Sequence, residues 1–115
     1  MLTLSRADGT SIVIQVSEIL DNTNAREMTK AFGAAGAAGY TRVILDMSEV
    51  RFISSTGVGC ILAALGTFRD QGGDIILCNL HGRTMQILKV LNLCDYLSIA
   101  SDVDAASEAI RSEIS

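Results

Sequence analysis

The fold of this chain is decided by residues 42–79, which read RVILDMSEVRFISSTGVGCILAALGTFRDQGGDIILCN. The first part, Arg42 to Met47, is rich in branched apolar residues and predicts a strand. A stripe of apolar residues at helical spacing follows: Val58, Ile61, Leu62, Leu65 and Phe68. The glycines at 72 and 73 are typical of a helix end. Asp74 to Asn79 then predicts a second strand, covered on both faces because three apolar residues are contiguous. The stretch therefore predicts a strand–helix–strand unit with parallel strands.

The residues before this unit continue the alternation of strands and helices. Leu2 and Leu4 predict an edge strand, and Asp8-Gly9 predicts a hairpin turn. Ser11 to Val16 has apolar residues at every second position, which predicts another strand. The period then becomes helical, with apolar residues at Ala25, Met28, Phe32 and Ala35. Asn24 and Glu27 resemble a capping box at the start of this helix.

The residues after this unit add two helices and a short strand. A third helix is expected through Met85, Leu88 and Leu91, and a short strand near Leu97 to Ala100. A fourth helix is expected to be capped by Ser101 with Asp104 and to bury Val103, Ala106 and Ile110. We therefore expect a single α/β domain over residues 1–115, with a mixed, mainly parallel sheet of about five strands and about four helices.

The charge balance argues against direct nucleic-acid binding. Nine Lys and Arg residues against thirteen Asp and Glu residues give a net charge of −4. The cations are scattered singly, whereas binding to nucleic acid draws on clustered basic residues that release counterions.

Membrane insertion, metal sites and cofactors are also not expected. The longest stretch without charge or strong polarity, Gly57 to Leu65 and a little beyond, is far shorter than the roughly 20 residues that span a bilayer. Residues 1–6 do not resemble a signal peptide, so we expect a cytoplasmic protein. Cys60, Cys78 and Cys94 are widely spaced and the chain has one His, which fits neither a zinc site nor a disulfide framework.

Three consecutive hydroxyl residues, Ser54, Ser55 and Thr56, precede the second helix. One interpretation is structural, because a Ser or Thr at a helix N-cap stabilises the helix by about 1 kcal/mol. The other is functional, because a helix N-terminus favours negative charge and would tolerate a phosphorylated serine. Gly57 and Gly59 lack side chains here, so another protein's backbone could approach closely.

Three stretches in this order resemble the signature segments of STAS domains: Glu18 to Ala25, Val43 to Met47 and Phe52 to Gly59. The similarity is greatest to small bacterial anti-sigma factor antagonists, and it implies a partner-switching protein that is not an enzyme. In its unphosphorylated form such a domain binds a serine-kinase anti-sigma factor, which frees the sigma factor. The kinase then phosphorylates one serine of the domain and so releases it, and a PP2C-type phosphatase reverses the modification.

The resemblance also implies which residues act. The phosphorylated residue should be Ser55, with Ser54 and Thr56 as less favoured acceptors. The partner-binding residues should be Asp21, Asn22, Thr23, Ser54, Ser55, Thr56, Gly57 and Val58. The chain departs from the family at Ser54, where many of these antagonists carry Asp. Whether the free protein forms a weak homodimer stays open.

Two other functions remain as alternatives. Ser54 in place of Asp is compatible with an unphosphorylated STAS adaptor in a transport or signalling complex. A serine hydrolase would need Ser55, His81 and either Asp21 or Asp46 to meet in the fold, but the sequence has no G-x-S-x-G elbow. For Asp46 we favour a structural role in which its carboxylate bonds backbone amides of the next turn. For His81 we favour a surface position at a helix start.

Overall fold

The computed structural model describes the backbone of residues 2–21 and 23–114, and the side chains of residues 9–16, 21 and 23–110. Within this part of the chain the elements alternate between strands and helices. The strands are β1 (Leu2–Asp8), β2 (Ser11–Leu20), β3 (Arg42–Ile53), β4 (Asp74–Cys78) and β5 (Ser98–Ala100). The helices are α1 (Ala25–Ala37), α2 (Ser55–Asp70), α3 (Gly82–Val90) and α4 (Val103–Ile114).

The strands form one sheet in the order β1-β2-β3-β4-β5. β1 is antiparallel to β2, and the pairs β2–β3, β3–β4 and β4–β5 are parallel. The predicted mixed, mainly parallel sheet and its four helices are therefore confirmed. Since the three parallel crossovers all step in the same direction, the right-handed rule places α1, α2 and α3 on the same face.

The packing agrees with that rule. A main core joins Met28 and Phe32 of α1, the apolar stripe of α2 and Leu88 of α3 to one face of the sheet. The rings of Phe32 and Phe68 meet edge to face, with centroids 6.4 Å apart. A second, smaller core on the other face places α4 over β2, β3 and β4, through Val13, Ile44, Ile76, Cys78, Ala106 and Ile110. The parallel strands are thus covered on both faces where the cores lie.

The predicted strand ends at Val16 and Met47 were wrong, because β2 continues to Leu20 and β3 continues to Ile53. Between the pairs Gln15↔Asp46 and Ser17↔Glu49, β3 contains one residue more than β2, and a second extra residue follows Val50. Each is a β-bulge, which locally disrupts the alternation of side chains between the faces. As a result Met47, Val50 and Ile53, three residues apart, are all buried in the main core.

Three details of the helix ends also differ from expectation. Asp102, not Ser101, caps α4, because its carboxylate accepts a hydrogen bond from the Ala105 N–H at 2.8 Å. Asn24 occupies the N-cap position of α1 but makes no side-chain cap bond; its Oδ1 accepts from the Asp21 N–H at 2.9 Å instead. Leu91 lies just past the end of α3 and is exposed.

Candidate functional site

The predicted site residues lie at the edge of the sheet where the parallel strands end. Leu20 pairs with Ile53 at the ends of β2 and β3. Because neighbouring strands lie about 4.8 Å apart, the segments that follow these two residues start side by side. Asp21 and Ser54, the first residues of these two segments, therefore lie at the same edge of the sheet, with Thr23 following the first and Ser55 and Thr56 following the second. Asn22 lies outside the described residues.

The three adjacent hydroxyl residues have different environments. Ser54 is the N-cap of α2, in an extended conformation, and its Oγ accepts a hydrogen bond from the Gly57 N–H at 3.2 Å. Its carbonyl oxygen accepts the first helical bond, from the Val58 N–H at 2.9 Å. Ser54 is half-buried, whereas Ser55 and Thr56 are exposed in the first turn of the helix. The capping interpretation therefore applies to Ser54, and Ser55 presents its side chain to solvent.

The electrostatics at the head of α2 favour an added negative charge. The helix N-terminus carries a partial positive charge on its free N–H groups, and the first turn of α2 contains no acidic residue. Gly59, on the second turn, is exposed, and a Cβ added to it would meet nothing within 4 Å. Gly57 and Val58 are buried, and the Val58 side chain packs in the main core rather than on the surface.

The side chain of Asp21, the residue that follows β2, accepts two hydrogen bonds from Thr23. Its Oδ1 accepts hydrogen bonds from the Thr23 hydroxyl at 2.6 Å and from the Thr23 N–H at 2.9 Å. These two bonds, the hydroxyl bond above all, hold the pKa of the Asp21 carboxyl below its usual value. Asp21 is therefore a carboxylate at neutral pH, in the loop that begins beside Ser54.

Asp46 and His81 are occupied by contacts within the fold. Asp46 Oδ1 accepts from the Ser48 N–H at 3.1 Å and from the Asn79 side-chain amide at 2.9 Å. The His81 Nε2 lies 3.1 Å from the Ser48 carbonyl oxygen. Both residues thus support the first bulge of β3. The contacts seen for them do not lead to Ser55, so the structure does not assemble the hydrolase arrangement.

Phe52 is a surface residue at this edge that the site prediction did not include. It is exposed although its neighbour Ile53 is buried. The sequence signal for it was an aromatic residue two positions before the hydroxyl cluster, in a segment whose apolar residues repeat every three positions. That period belongs to neither a regular strand nor a helix.

A groove of about 360 Å³ lies elsewhere, between α1 and α2. Its lining consists of small and apolar residues together with threonine, glutamine and cysteine side chains, and includes Phe32, Gly33, Cys60 and Phe68. None of the predicted site residues lines it, so it offers no substrate pocket to Ser55. Among the residues that the structure describes, no three His, Cys, Asp or Glu side chains group in a way that could hold a metal ion.

The model of the STAS domain family matches residues 2–106. The chain belongs to the STAS domain family. A Bordetella bronchiseptica protein named as a candidate anti-sigma factor antagonist, BtrV, is 24% identical over 113 residues, which cover 98% of this chain and 97% of that protein.

No helix in the described part of the chain is long and apolar enough to cross a membrane.

Solved structures of STAS proteins share the fold. An anti-sigma factor antagonist from Mycobacterium paratuberculosis superposes with a TM-score of 0.85 at 22% identity, over 96% of this chain and 93% of that chain. The anti-sigma factor antagonist SpoIIAA in its unphosphorylated form gives 0.75 at 20% identity, over 96% of both chains. SpoIIAA of Bacillus in its phosphorylated form gives 0.74 at 19% identity, over 95% of this chain and 99% of that chain.

Proposed function

We propose that this STAS protein is an anti-sigma factor antagonist that works by partner switching, with Ser55 as its phosphorylated residue. One observation carries the proposal: Ser54 supplies the helix cap, which leaves the Ser55 hydroxyl exposed beside the Asp21 loop. The names of the relatives support the class of function. The unphosphorylated protein binds a serine-kinase anti-sigma factor in the cytoplasm and thereby frees the sigma factor.

Phosphorylation of Ser55 would change the surface without unfolding the domain. The phosphoryl group adds a charge of about −1.5 to −2 at neutral pH. The N-terminus of α2 tolerates this charge, because its own backbone dipoles favour an anion there. A partner that packs against the same helix head would meet a bulky dianion close to the Asp21 carboxylate. The resulting repulsion and loss of fit would release the partner, and a PP2C-type phosphatase would restore binding.

The proposal predicts opposite effects of two substitutions at Ser55. Ser55→Ala should bind the kinase partner and resist release when ATP is added, because the acceptor hydroxyl is gone. Ser55→Asp places a negative charge on the docking surface, by which we mean the Asp21 loop and the head of α2 at Ser54, Ser55 and Thr56. This variant should bind at least about tenfold more weakly, which corresponds to about 1.4 kcal/mol. Calorimetry with the purified cognate serine-kinase anti-sigma factor measures both affinities, and mass spectrometry after incubation with ATP locates the phosphate.

Thr67→Ala is the matched control, since Thr67 is an exposed hydroxyl on the same helix but near its other end, away from the predicted site. It should bind like the wild type and still be phosphorylated on Ser55. Equal affinity of Ser55→Ala and Ser55→Asp would contradict the switch. A phosphate on Ser54 or Thr56 in the wild-type protein would move the acceptor to that residue.

A further inference from the structure

We propose that Phe52 is an apolar anchor of the docking surface, inserted into an apolar pocket of the anti-sigma partner. This inference rests on the proposed function and adds a residue that the proposed phosphorylation does not require. Phe52 is 43% exposed, one residue from the end of β3 and two before the α2 cap.

The exposure of Phe52 follows from the second bulge in β3. In a regular strand, Val50 and Phe52 would point to the same face. The bulge after Val50 inserts one residue, so that Val50 and Ile53 are buried in the main core while Arg51 and Phe52 are exposed. The backbone geometry therefore presents an aromatic ring to solvent at the end of a strand whose other apolar residues are buried.

Phe52 also lies close enough to Ser55 to share an interface with it. Three residues of extended chain span at most about 11 Å, which limits the distance between their Cα atoms. A stable protein interface buries about 800 Å² on each partner, the area of a disc of roughly 16 Å radius. An interface of this size that is centred on Ser55 therefore covers the position of Phe52 as well.

The chemistry of the surface supports the same conclusion. Arg51, directly beside Phe52, is also large and exposed, but it is charged. The side chains of Asp21, Thr23, Ser55 and Thr56 are polar and small, so Phe52 is the large apolar side chain described there. Interface hot spots are enriched in large side chains that fill desolvated pockets, surrounded by weaker contacts that exclude water. Phe32 and Phe68 pack against each other in the main core, so Phe52 is the phenylalanine available for this role.

An anchor at Phe52 would also make the switch more effective. Burying the ring requires the partner to exclude water from the surrounding surface. A phosphoryl group on Ser55 would then have to lose part of its hydration in the complex, and removing a charged group from water is strongly unfavourable. Burial of the Phe52 ring against the partner and phosphorylation of Ser55 are therefore unfavourable together.

The test compares Phe52→Ala with Leu91→Ala. Leu91 has a similar exposure, 46%, but it follows the C-terminus of α3, at the opposite edge of the sheet. The probes are the purified serine-kinase anti-sigma factors of the same organism, with this chain as ligand and as kinase substrate. Phe52→Ala should weaken binding at least tenfold and raise KM for phosphorylation of Ser55 with kcat unchanged, as expected for a pure docking contact. Leu91→Ala should stay within twofold of wild type.

The outcomes separate this inference from the proposed function. If the wild-type chain binds a kinase and Phe52→Ala binds equally well, the anchor is wrong and partner switching stands. If Phe52→Ala and Leu91→Ala weaken binding equally, the effect is not specific to this edge and the anchor is also wrong. If the wild-type chain binds no such kinase, the proposed function fails and the anchor fails with it. Circular dichroism of each variant verifies that it is folded.

Discussion

Ser54 and Ser55 differ in role because a helix begins between them. The Ser54 side chain turns back to the Gly57 N–H, and Ser55 is the first residue of α2. Asp and Ser are about equally good N-caps, so Ser54 caps the helix as well as the Asp that the family resemblance implies at this position. Compared with Asp, Ser54 places no negative charge beside Ser55, the proposed acceptor. The kinase of the proposed switch would therefore have to accept a neutral residue at that position.

This division of roles predicts different stabilities for two alanine variants. Ser54→Ala removes the cap bond and should lower the free energy of unfolding by about 1 kcal/mol. Ser55→Ala changes an exposed residue and should stay within about 0.5 kcal/mol of wild type. Ser54→Asp should retain the wild-type stability, because Asp also caps. Urea denaturation followed by circular dichroism measures all three. A loss at Ser55→Ala as large as that at Ser54→Ala would mean that both hydroxyls stabilise the helix.

At the scale of the elements, β3 shows what the sequence could and could not predict. The order of strands and helices followed from local periods, and the hydroxyl cluster located the head of α2. The last part of β3 was missed because Met47, Val50 and Ile53 recur every three residues. Such a pattern arises from two bulges in the pairing with β2, and pairing between distant segments leaves no local signature. The exposure of Phe52 depends on the same bulges, so it too required the structure.

The connection between α2 and β4 depends on a glycine for a steric reason. A Cβ on Gly73 would lie 1.8 Å from the Thr41 carbonyl oxygen and 3.2 Å from that of Phe68. These are backbone atoms held by hydrogen bonds: the Gly73 N–H donates to Phe68 at 2.8 Å, and the Asp74 N–H donates to Thr41 at 3.1 Å. The start of β4 can therefore pair with β3 only if residue 73 has no side chain.

Gly73→Ala should accordingly destabilise the protein by at least about 1–3 kcal/mol, the usual range for overpacking. Gly33→Ala is the matched control, because Gly33 lies inside α1 and an added Cβ there would meet nothing within 4 Å. That variant should gain about 0.5–1 kcal/mol from the better helix propensity of Ala. Thermal unfolding compares the two. A Gly73→Ala protein as stable as the wild type would contradict the close approach of Thr41.

In the molecule as a whole, the edge of the sheet where the parallel strands begin and the edge where they end differ in their side-chain contacts. At the edge opposite the site, Arg69 at the end of α2 forms an ion pair with Asp74 at 3.1 Å, and its guanidinium lies 5.0 Å from the centre of the Tyr96 ring. Ser98 donates to the other Asp74 oxygen. These contacts join α2, β4 and the start of β5. The edge at Ser55 instead exposes the Ser55 and Thr56 hydroxyls at the N-terminus of α2, which agrees with the general placement of binding sites at the carboxyl ends of parallel strands.

Cys78 can be used to test whether the main core and the second core unfold together. Its side chain has no exposed surface and lies in the second core with α4. Burial, and then the charges of Asp46 and Asp102, raise the pKa of the Cys78 thiol to about 12. Because the thiolate is the reactive form, the folded protein should offer almost no reactive Cys78 at pH 8. Reaction should then require unfolding of the domain.

We expect a protein that retains only Cys78, with Cys60→Ala and Cys94→Ala, to react with a disulfide reagent at pH 8 at least about 1,000-fold more slowly than a free thiol, since small domains are stable by about 5 kcal/mol or more. The rate should rise with urea in parallel with unfolding. The matched control retains only Cys60, which is half-exposed, and should react much faster in the native state. Fast native-state reaction of Cys78 would mean that α4 opens separately from the main core.

The raised pKa of Cys78 also predicts a dependence of stability on pH. In the unfolded protein the thiol ionises at a lower pH than in the folded protein, so the wild-type protein should lose stability above about pH 9 relative to Cys78→Ala.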